Sequence, residues 1–429
     1  MHDFNIWYTL LTLVVIMGAL QGTTAFLILV ERKIAGWVQD RIGPNRVGPK
    51  GLFQPLADGL KFLLKEEMIP GYVDKVLFLL APCIAMGVAM FAFAVVPFGP
   101  VEPPPRMTVM KKNHVTLEQA AVIAQKADGE RTATEKAIVE EYGRYQAYRG
   151  SYQFVIAPGV DIGIVFIFAI SSLAVYGVIL GGWSANNKYS FLGALRSSAQ
   201  IISYEIPLGL SVLGIFLMSG SLNLERIIWQ QIPAGGTEAT DGMWYVFVQP
   251  LAFVIFLVSA FAETNRLPFD LPEAEQELVG GYHTEYSAFK FGMFFLGEYT
   301  HMITTSFLMV ILFFGGWHFP FIATADSFWL IKLAVFGAKM AGFIVFYMLV
   351  RWTIPRFRFD QLMGLAWKVM IPLALVNLVL VMVVKQLNLS LWWLLPLSLA
   401  ALVGSAAFAV GGPSKPARRR EAGELALTQ

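Results

Sequence analysis

Charge is what this sequence has least of. Acidic and basic residues fill 14% of its 429 positions, against roughly 25% in an ordinary soluble domain. A chain this poor in charge cannot clothe a water-facing surface. Cysteine is almost missing: Cys83 is the only one, which excludes an internal disulfide and any CxxC metal or redox site. The five histidines, His2, His114, His283, His301 and His318, are scattered, so no metal-ligand spacing arises. No glycine-rich loop follows a strand pattern, which leaves nothing to cradle a nucleotide phosphate. A net charge of +2, without basic and aromatic residues interleaved, offers no footprint for nucleic acid. The chain alone shows no means of holding a nucleotide, flavin, haem, iron–sulfur cluster or metal.

Long apolar runs are what it has instead, within a composition that is 56% hydrophobic. A spanning helix needs roughly 20 mostly apolar residues. Nine segments qualify, at about 5–30, 74–97, 157–181, 193–219, 244–263, 287–316, 328–350, 369–385 and 391–411. The expected fold is all-α, a polytopic membrane helical bundle of about nine transmembrane helices. The first run is expected to be a span and not a secretory signal, because no basic region precedes it and it exceeds the usual h-region. Lysine and arginine set the orientation. The loops after spans 1, 3, 5 and 7 carry Arg32, Lys33, Arg41, Lys188, Arg266, Arg351 and Arg356 among others, and Lys415 and Arg418 to Arg420 follow span 9. These loops are expected in the cytoplasm, with the N-terminus outside and the C-terminus inside.

The first inner loop, Glu31 to Pro70, is too long for a turn. ERKIAGWVQDRIGPNRVGPKG is dense in glycine and proline and is expected to be an ordered irregular loop. QPLADGLKFLLKEE then places Leu56, Leu60, Leu63 and Leu64 opposite Lys61 and Lys65. That pattern suits a helix lying in the membrane interface, or a surface helix clamping spans 1 and 2. On the other side, PFGPVEPPPR leads as a stiff linker into a polar insert. Thr116-x-x-Gln119 and Thr132-x-x-Glu135 look like capping boxes, so two short helices broken near Asp128-Gly129 are expected. The organisation is therefore spans 1 and 2 in 1–99, with the loop 31–73. The outer insert occupies 100–156, spans 3 to 9 occupy 157–411, and a basic tail runs over 412–429.

Several ionisable residues fall where lipid should be. Span 4 carries Arg196, Tyr204 and Glu205 beside Pro207; span 6 carries Glu298; span 7 carries Lys332 and Lys339. Span 3 opens at Asp161 and span 5 closes at Glu263. Each taken singly could be a structural ion pair, yet charge at membrane depth is costly and marks a pathway or site by default. Together they read as a polar route. Desolvation favours the protonated carboxyl, so such a route can exchange protons near neutral pH.

The route would start at Phe261 to Ser287, FAETNRLPFDLPEAEQELVGGYHTEYS. Glu263, Asp270, Glu273, Glu275, Glu277 and Glu285 face one cation there, Arg266. A capping box at Asp270-x-x-Glu273 and the helix macrodipole account for one or two acids. They do not account for six, nor for Glu273 and Glu277 repelling at i, i+4.

The motifs ERKIAGWVQDRIGPNRVGPKGLFQPLADGLKFLLKE, SFLGALRSSAQIISYEIPLGL, AETNRLPFDLPEAEQELVGGYHTEYS, FLGEYT and RFRFDQLMGLAWK make the chain recognisable. It resembles the H-subunit family of bacterial NADH:quinone oxidoreductase (respiratory complex I), the counterpart of mitochondrial subunit 1. The resemblance covers nearly the whole chain. It implies a subunit of the bacterial inner membrane at the junction of the redox arm and the proton-pumping arm. The substrate it implies is a quinone, ubiquinone or menaquinone, reduced by an iron–sulfur cluster of a neighbouring soluble subunit. Small and antiporter-like membrane subunits are the other implied partners, alongside membrane lipid. By motif match, Glu31, Arg32, Arg41 and Asp58 belong near the quinone entrance. Arg266, Asp270, Glu273, Glu275, Glu277 and Glu285 belong to the quinone-site loop, and Tyr204, Glu205, Glu263 and Glu298 to the proton path, to which Asp161 and Lys339 are added. The insert and the ninth helix depart from the usual family pattern. Two other readings are the related subunit of a proton-translocating hydrogenase and a stand-alone ion transporter. The second would be expected to show paired repeats with broken helices, and no internal repeat is evident.

Overall fold

A computed structural model describes residues 6–105, 107–126, 132–150, 153–233, 242–270 and 279–411. The break expected at Asp128-Gly129, the acids Glu273, Glu275 and Glu277, and the basic tail lie outside the described residues.

Helix α1 (Ile6–Val38) runs eight residues beyond its expected end. The stretch ERKIAGWV is helical and not irregular loop. Ile34 and Ala35 continue the buried stripe past the charged pair, so Glu31 turns inward while Arg32 stays in the open. The irregular loop begins at Gln39. Helix α2 (Gln54–Leu64) is the expected amphipathic segment. Arg32 ties it to α1 through Asp58 at 2.5 Å, while Leu56, Leu60, Leu63 and Leu64 stay uncovered. Helix α3 (Lys75–Phe91) starts at Asp74, whose carboxylate accepts from the N–H groups of Val76 and Leu77.

The outer insert holds α4 (Thr108–Lys112), α5 (Leu117–Ala124) and α6 (Ala133–Gly150). Both capping boxes form: Thr116 with Gln119, and Thr132 with Glu135. The additional α4 is capped from a distance by Glu141, which accepts from Thr108 Oγ1, Val109 N and Met110 N. Burial would raise the Glu141 pKa, but those donors hold it below the usual carboxylate range. Met110, Ala120 and Ile138 form a small core of their own.

The bundle continues with α7 (Gly163–Ser184), α8 (Lys188–Ser219) and the short α9 (Leu224–Gln230). The fifth span is broken into α10 (Tyr245–Val248) and α11 (Pro250–Glu263). Pro250 has no N–H, and the residue before a proline avoids the helical region; Gln249 adopts φ −126° and ψ 62°. Then follow α12 (Ala288–Phe313), α13 (Trp329–Thr353) and α14 (Phe359–Leu365). A π-turn over Ala366–Met370 leads into α15 (Ile371–Gln386), and α16 (Leu394–Gly411) closes the described chain. RFRFDQLMGLAWK is thus largely helical, and the eighth span starts ten residues earlier than its apolar run. Among the described residues, seven helices are long and apolar enough to cross a membrane, and α11 and α16 are shorter apolar helices within the fifth and ninth expected spans. The described residues form an all-helical, multi-pass bundle.

Helix α12 is its centre, with nearly every residue from Tyr299 to Phe313 buried. Close approach elsewhere depends on glycine: a Cβ at Gly177 on α7 would lie 2.9 Å from the Ala85 nitrogen of α3. With no hydrophobic force between helices in lipid, such backbone contact supplies the packing. The loops after α1, α7, α11 and α13 gather at one end of the bundle, and the insert lies at the other.

Candidate functional site

At the loop end, the last turns of α1 carry a buried carboxylate. Glu31 is 4% exposed and accepts from Arg266 Nη1 at 3.1 Å through both oxygens. It also accepts from the Tyr299 hydroxyl of α12 at 2.5 Å and from Arg351 at the end of α13. The Arg266 guanidinium lies 4.1 Å from the centre of the Tyr299 ring, a cation–π geometry. Burial would strip the proton from Arg266, but Glu31, Tyr299 and then Glu298 hold its pKa above the ordinary value. Four elements therefore meet on one charge cluster.

The loop after α11 is held in place from α8. Gln200 Nε2 donates to the carbonyls of Ala262 at 2.9 Å and Phe269 at 2.8 Å. Phe269 stacks on Phe357 with ring centres 5.5 Å apart, and Phe357 N donates to Pro268 O. Asp270, 8% exposed, takes Arg356 Nη2 at 3.2 Å. Farther on, Glu285 accepts from Asn187 Nδ2 at 2.7 Å and Tyr72 OH at 3.1 Å, which binds the loop to the α7–α8 turn and to the segment before α3. His283 stacks against Phe291 at 5.1 Å, and burial pushes its pKa down to about 4.

Just within the bundle, three span acids converge. Glu263 and Glu298 line one cavity of about 40 Å³ with Ser171, Thr264, Tyr282 and His301. That space suits a few water molecules. Tyr282 OH donates to Glu298 at 3.1 Å; Ser171 hydrogen-bonds Glu263; and Ser172, the next residue, donates to Glu205. Glu205 is the charge that Glu263 feels most strongly. Arg266 also interacts electrostatically with Glu298, which links the loop cluster to the cavity.

The remaining sequence-predicted residues lie apart. Tyr204 OH donates to the Leu362 carbonyl at 2.9 Å and does not face the acid cavity. Lys339 donates to the carbonyls of Phe314, Gly316 and His318, beyond the C-terminal end of α12. Asp161 lines a different cavity, at the insert end. Arg41 is exposed and donates to Gln39 Oε1 at 2.7 Å. Sequence reasoning missed Tyr299, Tyr282, His301, Ser171, Ser172 and Gln200, and it used Arg351 and Arg356 only to orient the loops. No signal marks the neutral ones, since an isolated hydroxyl or imidazole in an apolar run has many structural uses. Among the described residues no group of three His, Cys, Asp or Glu is placed to hold a metal ion.

The fold and this geometry define a polytopic helical membrane protein whose loops close over buried, mutually coupled charges. The model of the NADH dehydrogenase family matches residues 11–130 and 131–382, meeting within the insert and ending before α16. The H subunit of the NADH-quinone oxidoreductase of Leptospira biflexa is 47% identical over 352 residues, 81% of this chain and 86% of the relative. The H subunit from Thermomicrobium roseum is 42% identical, over 85% and 92%. NADH-quinone oxidoreductase subunit 8 of Rhodothermus marinus is 40% identical, over 88% and 97%. The chain belongs to the NADH dehydrogenase family, among the H subunits of NADH-quinone oxidoreductases.

Proposed function

We propose that this chain forms the membrane wall of a quinone chamber and couples quinone reduction to proton movement. The observation that carries this reading is Arg266, which is ion-paired to Glu31 and interacts electrostatically with Glu298. The cluster around Glu31 belongs to the loops after the first and fifth spans, and the cavity of Glu263 and Glu298 lies next to it. Reduction of a quinone, ubiquinone or menaquinone, takes two electrons and two protons. The family resemblance implies that the electrons come from an iron–sulfur cluster of a soluble partner subunit. As negative charge develops on the quinone headgroup, it competes with Glu31 and Glu298 for the Arg266 guanidinium. Weakened pairing at Glu298 favours its protonation. Protons then pass among Glu298, Glu263 and Glu205 through hydroxyl partners and water, toward the antiporter-like membrane subunits. In this reading the loops face the bacterial cytoplasm, the N-terminus lies outside, and Arg32, Arg41, Asp58, Asp270 and Glu285 border the chamber. Glu273, Glu275 and Glu277 belong to the same loop.

Glu205→Gln keeps the Ser172 contact geometry but cannot release a proton. In the assembled complex we expect proton-coupled quinone reductase activity to fall roughly tenfold, about 1.4 kcal/mol in the barrier. Activity and pumping equal to the parent complex would remove Glu205 from the path.

A further inference from the structure

A cavity of about 1150 Å³ lies at the opposite end, between the insert and the bundle. Small-molecule sites usually occupy about 300–1,000 Å³, so this space exceeds what a few waters need. Its floor is made where spans end: Thr12 of α1, Ile162 just before α7, and Phe216 near the end of α8. Its roof is the insert, through Pro104, Tyr145 and Arg149. A cavity so bounded sits where lipid headgroups sit.

Its polar groups are of two signs. Arg226 gives Nη2 to the Pro104 carbonyl at 2.9 Å, while its Nε is buried and makes no hydrogen bond among the described residues. Arg149 is exposed, 5.8 Å from the Tyr145 ring centre. Asp161 supplies an exposed carboxylate on the same wall. Glu225 is engaged elsewhere, accepting from Tyr148 OH and Gly159 N at 3.0 Å each. Burial, against those donors, keeps its pKa above the usual carboxylate range, which softens its repulsion of an anion. Beside Thr12, the α1 side chains Leu11, Val14 and Val15 are about 60% exposed or more, an uncovered apolar track leading from the cavity. An arginine pair, one carboxylate and an adjoining apolar track match one chemistry.

We infer that this cavity binds a membrane phospholipid whose headgroup carries a phosphate and a terminal ammonium. The phosphate lies by Arg149 and Arg226, the ammonium by Asp161, and the acyl chains along α1. Arginine suits the phosphate because its planar donors match phosphate oxygens, and basic pockets between spans hold headgroups in the same way. The inference is independent of the quinone reading, whose failure would leave lipid labelling untouched.

The test is made on the assembled complex in phosphatidylcholine nanodiscs carrying a photoactivatable phosphatidylethanolamine, with crosslinks mapped by peptide mass spectrometry. Label is expected on α1 near Thr12 and on the segment from Tyr145 to Ile162. Arg149→Gln, at an exposed residue whose loss leaves the Arg226–Pro104 contact intact, is expected to cut that label roughly tenfold, the loss of a charge-assisted contact. Asp161→Asn is expected to lower labelling by phosphatidylethanolamine but not by the matching phosphatidylglycerol probe. Unchanged labelling in Arg149→Gln overturns the inference. So does crosslinking of the cavity to another protein of the complex in place of lipid, and an equal response of both probes to Asp161→Asn removes the ammonium site.

Discussion

Glu31 joins three partners from different parts of the chain, Arg266, Arg351 and Tyr299. Breaking a buried ion pair from one side leaves the other charge uncompensated and costs about 3–5 kcal/mol. Glu31→Gln should therefore lower the thermal unfolding midpoint of the purified protein by several degrees. The double variant Glu31→Gln, Arg266→Gln should cost less than the sum of the singles, because the residues are directly coupled; simple additivity would mean that the pair is not coupled. His283 makes a second residue-level prediction, with a defined pH sign. Its folded pKa of about 4 lies below the ordinary 6.5, so the opened loop takes up the proton more readily than the closed one. Loop stability is complete above about pH 6.5 and falls as the pH drops from there toward 4, by up to about 1.4 kcal/mol per unit. Hydrogen exchange over residues 279–287, corrected for its intrinsic rate, should accelerate across that window. His283→Phe keeps the stack on Phe291 and should abolish the slope; a slope that persists would have another source.

At the scale of elements, the acidic loop is pressed directly onto α8. A Cβ on Gly193 would meet the Gly281 backbone and the Tyr282 nitrogen at 2.8 Å. Backbone cannot give way as a flexible side chain does, and overpacking of this kind costs about 1–3 kcal/mol. Gly193→Ala should lift the segment from Gly281 to Tyr286, loosening Tyr282 from Glu298 and Tyr286 from its stack on Phe78 at 4.0 Å. Limited proteolysis of the loop should speed up, and quinone reductase activity should fall with it. A protease-resistant, fully active variant would show that the loop tolerates displacement. The extension of α1 belongs to this scale too. Periodicity locates the span but not its end at Val38, because charged residues look like loop until their neighbours show which face is buried.

For the whole molecule, the buried charge cluster and the insert lie at opposite ends of the bundle. The insert leaves and rejoins the bundle at one place, where Phe98 N donates to Phe154 O at 2.9 Å and Glu102 N to Gln153 Oε1 at 2.8 Å. A short glycine–serine linker can therefore replace residues 104–152 without stretching the chain. Such a deletion is expected to retain assembly and quinone reductase activity, because the Glu31 cluster and the acid cavity lie at the other end. Its cost should be a few degrees of thermal stability, from the lost Tyr148–Glu225 and Arg226–Pro104 contacts. Loss of activity in a stably assembled deletion would tie the insert to the chemistry after all.

The sequence by itself determined the all-helical bundle, its nine apolar segments, the amphipathic α2 and the two capped helices of the insert. These follow from local rules of period and capping that act over a few residues. It also singled out the acids of the spans, because charge among apolar neighbours is conspicuous. Only the tertiary structure decided which of them meet. Glu31 and Arg351 are 320 positions apart, and no local pattern encodes that contact. The same packing placed Asp161 and Lys339 at the insert end and sent Tyr204 to a backbone carbonyl. Position along a helix says how deep a side chain lies, and only the arrangement of the other helices says what it faces.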